Sequence, residues 1–172
     1  MTLPKIIKFI PEGSRVLDLG CGFEGKLLKE IESKIAYGIG VDLSVNQDIA
    51  NSKIKLIEHN LNEDLPFEGE GFDIVISLAN LEHLNNPTQV LKEAQRVLKP
   101  GGTLLLTAPS VYGRPVLEFL TFLRLISQWE IQDHKNYFNK KLLLEYCKQA
   151  GFSKCDHKYF QLGMNNFLYA KK

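Results

Sequence analysis

Residues 16–25, Val-Leu-Asp-Leu-Gly-Cys-Gly-Phe-Glu-Gly, decide the fold. A short apolar strand carrying a carboxylate runs into a glycine turn, and an amphipathic segment follows at once. Residues 40–44, Gly-Val-Asp-Leu-Ser, form a second strand end with a second acid. An open α/β sheet builds a nucleoside crevice in this way, at the carboxyl ends of its strands. Glycine lets the backbone approach a ligand where a Cβ would collide. Asp42 lies about 20 residues beyond the turn, the separation at which an acid receives ribose hydroxyls. The expectation is an adenosine-type cofactor.

Working outward, strand and helix alternate almost throughout. Ile6, Ile7 and Ile10 have helical spacing, so a short helix is expected before the sheet. Arg15–Leu19 reads as a buried strand, and Lys26–Lys34 as a helix with Leu27, Leu28 and Ile31 on one face. Tyr37–Val41, Lys53–Glu58 and Phe72–Ser77 read as further strands. The last is apolar enough to be a parallel strand covered on both faces. Pro87 opens a helix behind Asn86, and Pro100-Gly101-Gly102 is expected to end it and turn into strand Thr103–Ala108. A helix over Lys140–Ala150 stops at Gly151, and strands near Lys154–Tyr159 and Asn166–Ala170 follow. The pattern predicts a single-domain, doubly wound α/β fold.

The composition narrows the function. The 172 residues carry 21 basic and 20 acidic side chains, a net charge of +1, so no electrostatic case exists for gripping nucleic acid. Cys21, Cys147 and Cys155 lack metal-ligand spacing and are odd in number, which argues against disulfides and a bound metal. No signal peptide or transmembrane run is visible, and a cytoplasmic location is expected.

Gly20-Cys21-Gly22-Phe23-Glu24-Gly25 also matches the dinucleotide pattern G-x-G-x-x-G, so a nicotinamide site is one reading. Chain length and the position of Asp18 inside the strand count against it. A third strand end, His59-Asn60-Leu61, offers an amide and backbone groups to an adenine edge. The ordered set resembles the class I, S-adenosylmethionine-dependent methyltransferases, in particular their small-molecule branch. Val16–Gly22 looks like that family's first motif, and Gly40–Ser44 like its second. Phe72–Ser77 with Leu81-Glu82-His83-Leu84 is similar to its fourth-strand segment, and Leu98–Gly102 to the lead-in to its fifth strand. The resemblance implies a mostly parallel sheet of seven strands, the last antiparallel, with helices on both faces. It differs where Glu24 stands for a common glycine and Asn60 for a common Asp.

Carried over by position, the resemblance implies that Gly20, Cys21 and Gly22 wrap the methionine part of the cofactor and Asp18 supports its ammonium. Asp42 would take both ribose hydroxyls and Leu43 would pack on the adenine. Asn60 and Leu61 would meet the adenine edge, and Leu78 the methionine chain. Cys21 is also read as a small buried filler.

Methyl transfer from a sulfonium is an in-line displacement in which alignment matters most. His83, after the fourth strand, is the first candidate for a base, with His134 and Tyr137 behind it. Residues 115–129 are dense in Leu and Phe. Within an expected insertion over 111–137 they form a candidate substrate lid; core, dimer contact and peripheral membrane contact are the alternatives. The partner expected is a small, apolar or amphiphilic methyl acceptor, with the protein a monomer or homodimer. A cofactor-binding regulator without turnover is the alternative function.

Overall fold

Apolar runs bounded by glycine, proline and asparagine become the strands and helices of one sheet-centred unit. In chain order these are β1 (Arg15–Leu19), α1 (Lys26–Ile31), β2 (Tyr37–Asp42), β3 (Ile54–Glu58), β4 (Phe72–Leu78), α2 (Pro87–Val97), β5 (Leu98–Pro109), α3 (Lys140–Gln149), β6 (Lys154–Phe160) and β7 (Asn165–Lys171). This computed structural model describes residues 6–113 and 135–172. The seven strands lie in the order β3-β2-β1-β4-β5-β7-β6. Neighbours pair in parallel from β3 to β5, whereas β7 is antiparallel to both β5 and β6. Strand order reverses beside β1, so a crevice opens at the carboxyl ends of β1 and β4, where α/β sheets take their ligands.

Side-chain alternation explains why both faces must be covered. Leu17 and Leu19 of β1, Val75 of β4, and Leu104 and Leu106 of β5 join α2 and α3 in one core. Val16, Ile74, Ile76 and Leu105 point the other way and pack with Leu27, Leu28 and Ile31 of α1. Successive strand residues face opposite sides, so an apolar strand of this kind requires apolar partners above and below. Asn86 caps α2 by accepting from the Gln89 amide at 3.2 Å, and Asn139 caps α3 through Leu142 at 2.8 Å.

Before β1 the described residues start at Ile6, where Ile6 and Ile7 are helical and Ile6 and Ile10 are buried. Two expected boundaries differ, those of α1 and β5. Helix α1 stops at Ile31, and Lys34 closes a turn onto the Ile31 carbonyl. Most consequentially, α2 ends at Val97 and β5 already begins at Leu98. Phe72 pairs with Leu98 and Ile74 with Thr103, so Lys99–Gly102 form an irregularity inside the strand. Gly101, at φ 73°, permits that bulge, which the expected helix stop had hidden.

Beyond β5 the chain returns so that Phe138 bridges to Ser110. Phe138 N–H donates to the Pro109 carbonyl and Val111 N–H to the Phe138 carbonyl, each at 3.1 Å. The fully buried Asn166 of β7 donates through its amide to the carbonyls of Ala108, Pro109 and Phe138 at 3.3, 3.2 and 3.0 Å. Its Oδ1 lies 2.8 Å from His157 Nε2. One buried amide thus ties together two returning segments and the last strand. The candidate lid residues 115–129 and His134 lie outside the described residues.

Candidate functional site

The glycine turn after β1 is held by backbone and by one carboxylate. Gly20 and Cys21 both donate to the Val41 carbonyl, at 2.8 and 3.2 Å. Asp42, at the end of β2, accepts from Gly22 N–H at 2.8 Å through Oδ2 and from Leu43 N–H at 2.7 Å through Oδ1. Each oxygen keeps lone-pair capacity for a hydroxyl donor. Gly20 has φ 80°, and a Cβ there would sit 2.5 Å from Asn80 Cγ. Glycine is therefore required twice over, by the left-handed backbone and by the Asn80 carboxamide that occupies the space. Neither Asp18 nor Asp42 caps α1, whose N-cap is Gly25 with no side-chain bond.

A cavity of about 400 Å³ opens at the carboxyl edge of β1 to β4. Gly20, Asp42, Leu43, Asn60, Leu61 and His83 all line it, and these come from four separate stretches of the chain. Leu43 is 72% exposed, an apolar flap at the rim. Asn60 turns its polar atoms into its own loop, with Oδ1 accepting from Asn62 N–H at 3.1 Å and Nδ2 donating to Glu63 at 3.1 Å. Its side chain thus organises this wall of the cavity.

Five expected site residues do not line the cavity. Asp18 is buried within β1 at 3% exposure. Cys21 turns its sulfur toward Gly40, where a Cβ would lie 2.7 Å away, so its side chain serves packing. Gly22 is spent on the Asp42 bond, although space above it is open. Leu78 packs on the core beneath α1. Tyr137 has its hydroxyl closed off from solvent.

Burial sets the electrostatics. Asp18 is pushed up to about 7, chiefly by desolvation and then by the negative Asp42. Cys21 is pushed up to about 12 by burial, then by Asp18 and Asp42, which leaves the thiol inert near neutrality. Glu82 is raised to about 7 by burial, and its Oε2 has no hydrogen-bond partner among the described residues. No group of three His, Cys, Asp or Glu among the described residues is arranged to hold a metal ion.

Sequence reasoning missed Asn62, Ala79, Asn80, Leu84 and Lys135, which complete the wall. Ala79 is left-handed at φ 49°, a strained conformation for a residue with a Cβ, and it swings Asn80 over Gly20. Nothing in an Ala-Asn pair announces that. Lys135 arrives from far along the chain. Its N–H donates to the Glu82 carbonyl at 3.0 Å and its Nζ to Asn85 Oδ1 at 2.8 Å.

The methyltransferase-domain family model matches residues 2–157. The chain belongs to this family. It is a class I methyltransferase domain, and the cofactor of the class is S-adenosylmethionine. A ubiquinone biosynthesis O-methyltransferase of Ruegeria pomeroyi is 29% identical over 160 residues, covering 86% of this chain and 63% of the relative. A sarcosine/dimethylglycine N-methyltransferase of Aphanothece halophytica is 34% identical over 116 residues, covering 60% and 40%. The chain therefore spans less than two thirds of the length of either relative. Phosphoethanolamine N-methyltransferase 2 of Haemonchus contortus, solved with S-adenosylmethionine, shares the fold with a TM-score of 0.76 at 19% identity, covering 99% of this chain and 51% of that one.

The methyltransferase's own residues fit that cofactor. Asp42 presents two carboxylate oxygens at the rim, the space above Gly22 is open, and the exposed Leu43 offers an apolar surface to a ring. No described helix is long and apolar enough to cross a membrane.

Proposed function

We propose that this methyltransferase moves the methyl group of S-adenosylmethionine onto a small apolar or amphiphilic acceptor, at oxygen, nitrogen or carbon. The observation that carries the reading is the convergence of Gly20, Asp42, Asn60, Leu61 and His83 on one cavity at the strand reversal. The bound cofactor supplies an electrophilic methyl on a sulfonium. In this reading Asp42 accepts from the ribose hydroxyls, Leu43 covers the adenine, and the loop organised by Asn60 and Leu61 meets the adenine edge. Gly20 and Gly22 keep the turn thin enough for the methionine chain, and Asp18 adds negative charge from behind the turn.

The chemistry asked of the protein is alignment and exclusion of water, with a proton acceptor where the nucleophile is a hydroxyl or protonated amine. His83 is our base, because of the described candidates, His83 and Tyr137, it is the one that lines the cavity. We assign residues 111–137 to a substrate-covering insertion. Support comes from the Leu and Phe density of 115–129 and from Lys135, just beyond it, lining the wall. Such an insertion suits an apolar or amphiphilic acceptor.

His83→Ala tests the assignment. Turnover with labelled S-adenosylmethionine and pooled metabolites should fall by ~10²–10⁴ while affinity for S-adenosylhomocysteine holds. A matching loss of cofactor affinity makes His83 a binding residue and removes the base.

A further inference from the structure

We infer that Lys135 selects an acceptor bearing a carboxylate or other anionic group that is still present in the methylated product. The inference rests on the transfer reading and adds a substrate class to it.

Among the described residues of the wall, Asp42 is the carboxylate and Lys135 the ammonium. Asp42 is committed to the glycine turn and to the ribose end. Lys135 stands with His83 and Leu84 on the wall. Its placement is built. The main chain is pinned to Glu82, the neighbouring Asn136 amide donates to the Leu84 carbonyl at 2.9 Å, and the ammonium is drawn to Asn85. Asn85 is itself held by Asn62, whose Oδ1 accepts from its N–H at 2.8 Å.

The side-chain partner of Lys135 is a neutral amide, and no Asp or Glu among the described residues forms an ion pair with it. A cofactor with a sulfonium and a zwitterionic methionine end brings a net positive charge into the same cavity. An anionic acceptor group facing Lys135 offsets both, and the bond between ammonium and anion is charge-assisted. With a neutral acceptor, the exposed Lys135 ammonium and the net positive cofactor would share the cavity with no anion between them.

Wild type, Lys135→Met and Lys135→Arg are incubated with methyl-labelled S-adenosylmethionine and a small-molecule cell extract. Labelled products are separated by anion exchange at neutral pH, and S-adenosylhomocysteine affinity is measured by calorimetry. The dominant wild-type product should be retained as an anion. Lys135→Met should lower its formation by about tenfold or more, the scale of one lost charged hydrogen bond. Lys135→Arg should keep most of it, and cofactor affinity should stay within about twofold in both variants. A neutral or cationic dominant product overturns the inference and leaves methyl transfer standing. A parallel loss of S-adenosylhomocysteine affinity in Lys135→Met also overturns it, by assigning the ammonium to the cofactor. No labelled product from wild type, with the cofactor product bound, overturns the transfer reading and this inference with it.

Discussion

Asp18 shows how one buried atom group couples the fold to its ligand. Its carboxyl is raised to about 7 by burial first and by Asp42 second, so a neutral proportion persists at physiological pH. A cation bound at the glycine turn favours the ionised form. Below pH 7 binding must therefore expel a proton, and above it the site is already charged. Affinity for S-adenosylhomocysteine should rise from pH 6 toward pH 8 and then level. Calorimetry near pH 7 in buffers of different ionisation enthalpy should detect proton release, and Asp18→Asn should remove both effects. The sign for stability is opposite. The folded state keeps a proton between the ordinary carboxyl range and about pH 7 that the unfolded chain has lost. Stability thus falls as pH rises through that window and is flat above it. Glu82, also raised to about 7 by burial, acts in the same sense. Asp18→Asn should accordingly raise Tm more at pH 8 than at pH 5, which thermal scans at both values would show. An unchanged pH profile would contradict the burial account.

At the scale of elements, the turn after β1 and the exit of β4 act as one unit, because Asn80 fills the space a Gly20 Cβ would need. Gly20→Ala should cost about 2 kcal/mol or more, combining a left-handed Cβ penalty with the clash. Adding Asn80→Gly should restore the clash part, so urea unfolding of the singles and the double should be non-additive. Additive costs would mean the two residues do not share that space. The returning segments around Phe138 depend similarly on Asn166. Asn166→Ala removes one donor from each of the Ala108, Pro109 and Phe138 carbonyls and should cost about 1–3 kcal/mol in urea unfolding. A change within about 0.5 kcal/mol, as expected of an ordinary surface site, would contradict the role assigned to that amide.

These elements also show what the chain reveals locally. Strands β1, β2 and β4 were legible because continuous apolar runs meet glycine or acid at their ends, and both N-caps because Asn precedes a helical pattern. The start of β5 was not legible. Pro100-Gly101-Gly102 is the punctuation of a helix stop and of a bulge alike, and pairing with Phe72 and Ile74 decides between them. The half-site from Gly20, Asp42, Asn60 and Leu61 was readable because each follows its own strand at the same edge. Asn80 and Lys135 were not, since one depends on a strained neighbour and the other on a return of the chain.

For the whole molecule, the strand reversal beside β1 brings the ends of β1, β2, β3 and β4 around one cavity, and the two-sided core holds those ends in place. Family and fold agree on a methyltransferase domain, and the cavity carries an acidic end at Asp42 and a cationic wall at Lys135. The account stands on the adenosine end being an S-adenosylmethionine site held by Asp42. Calorimetric titration of S-adenosylhomocysteine and of NADH into wild type and Asp42→Ala measures this most directly. The account predicts S-adenosylhomocysteine binding to wild type, weak or no NADH binding, and a loss of about 100-fold or more in Asp42→Ala from two charged hydrogen bonds. Tight NADH binding without S-adenosylhomocysteine binding, or an Asp42→Ala variant that binds S-adenosylhomocysteine as well as wild type, would contradict it.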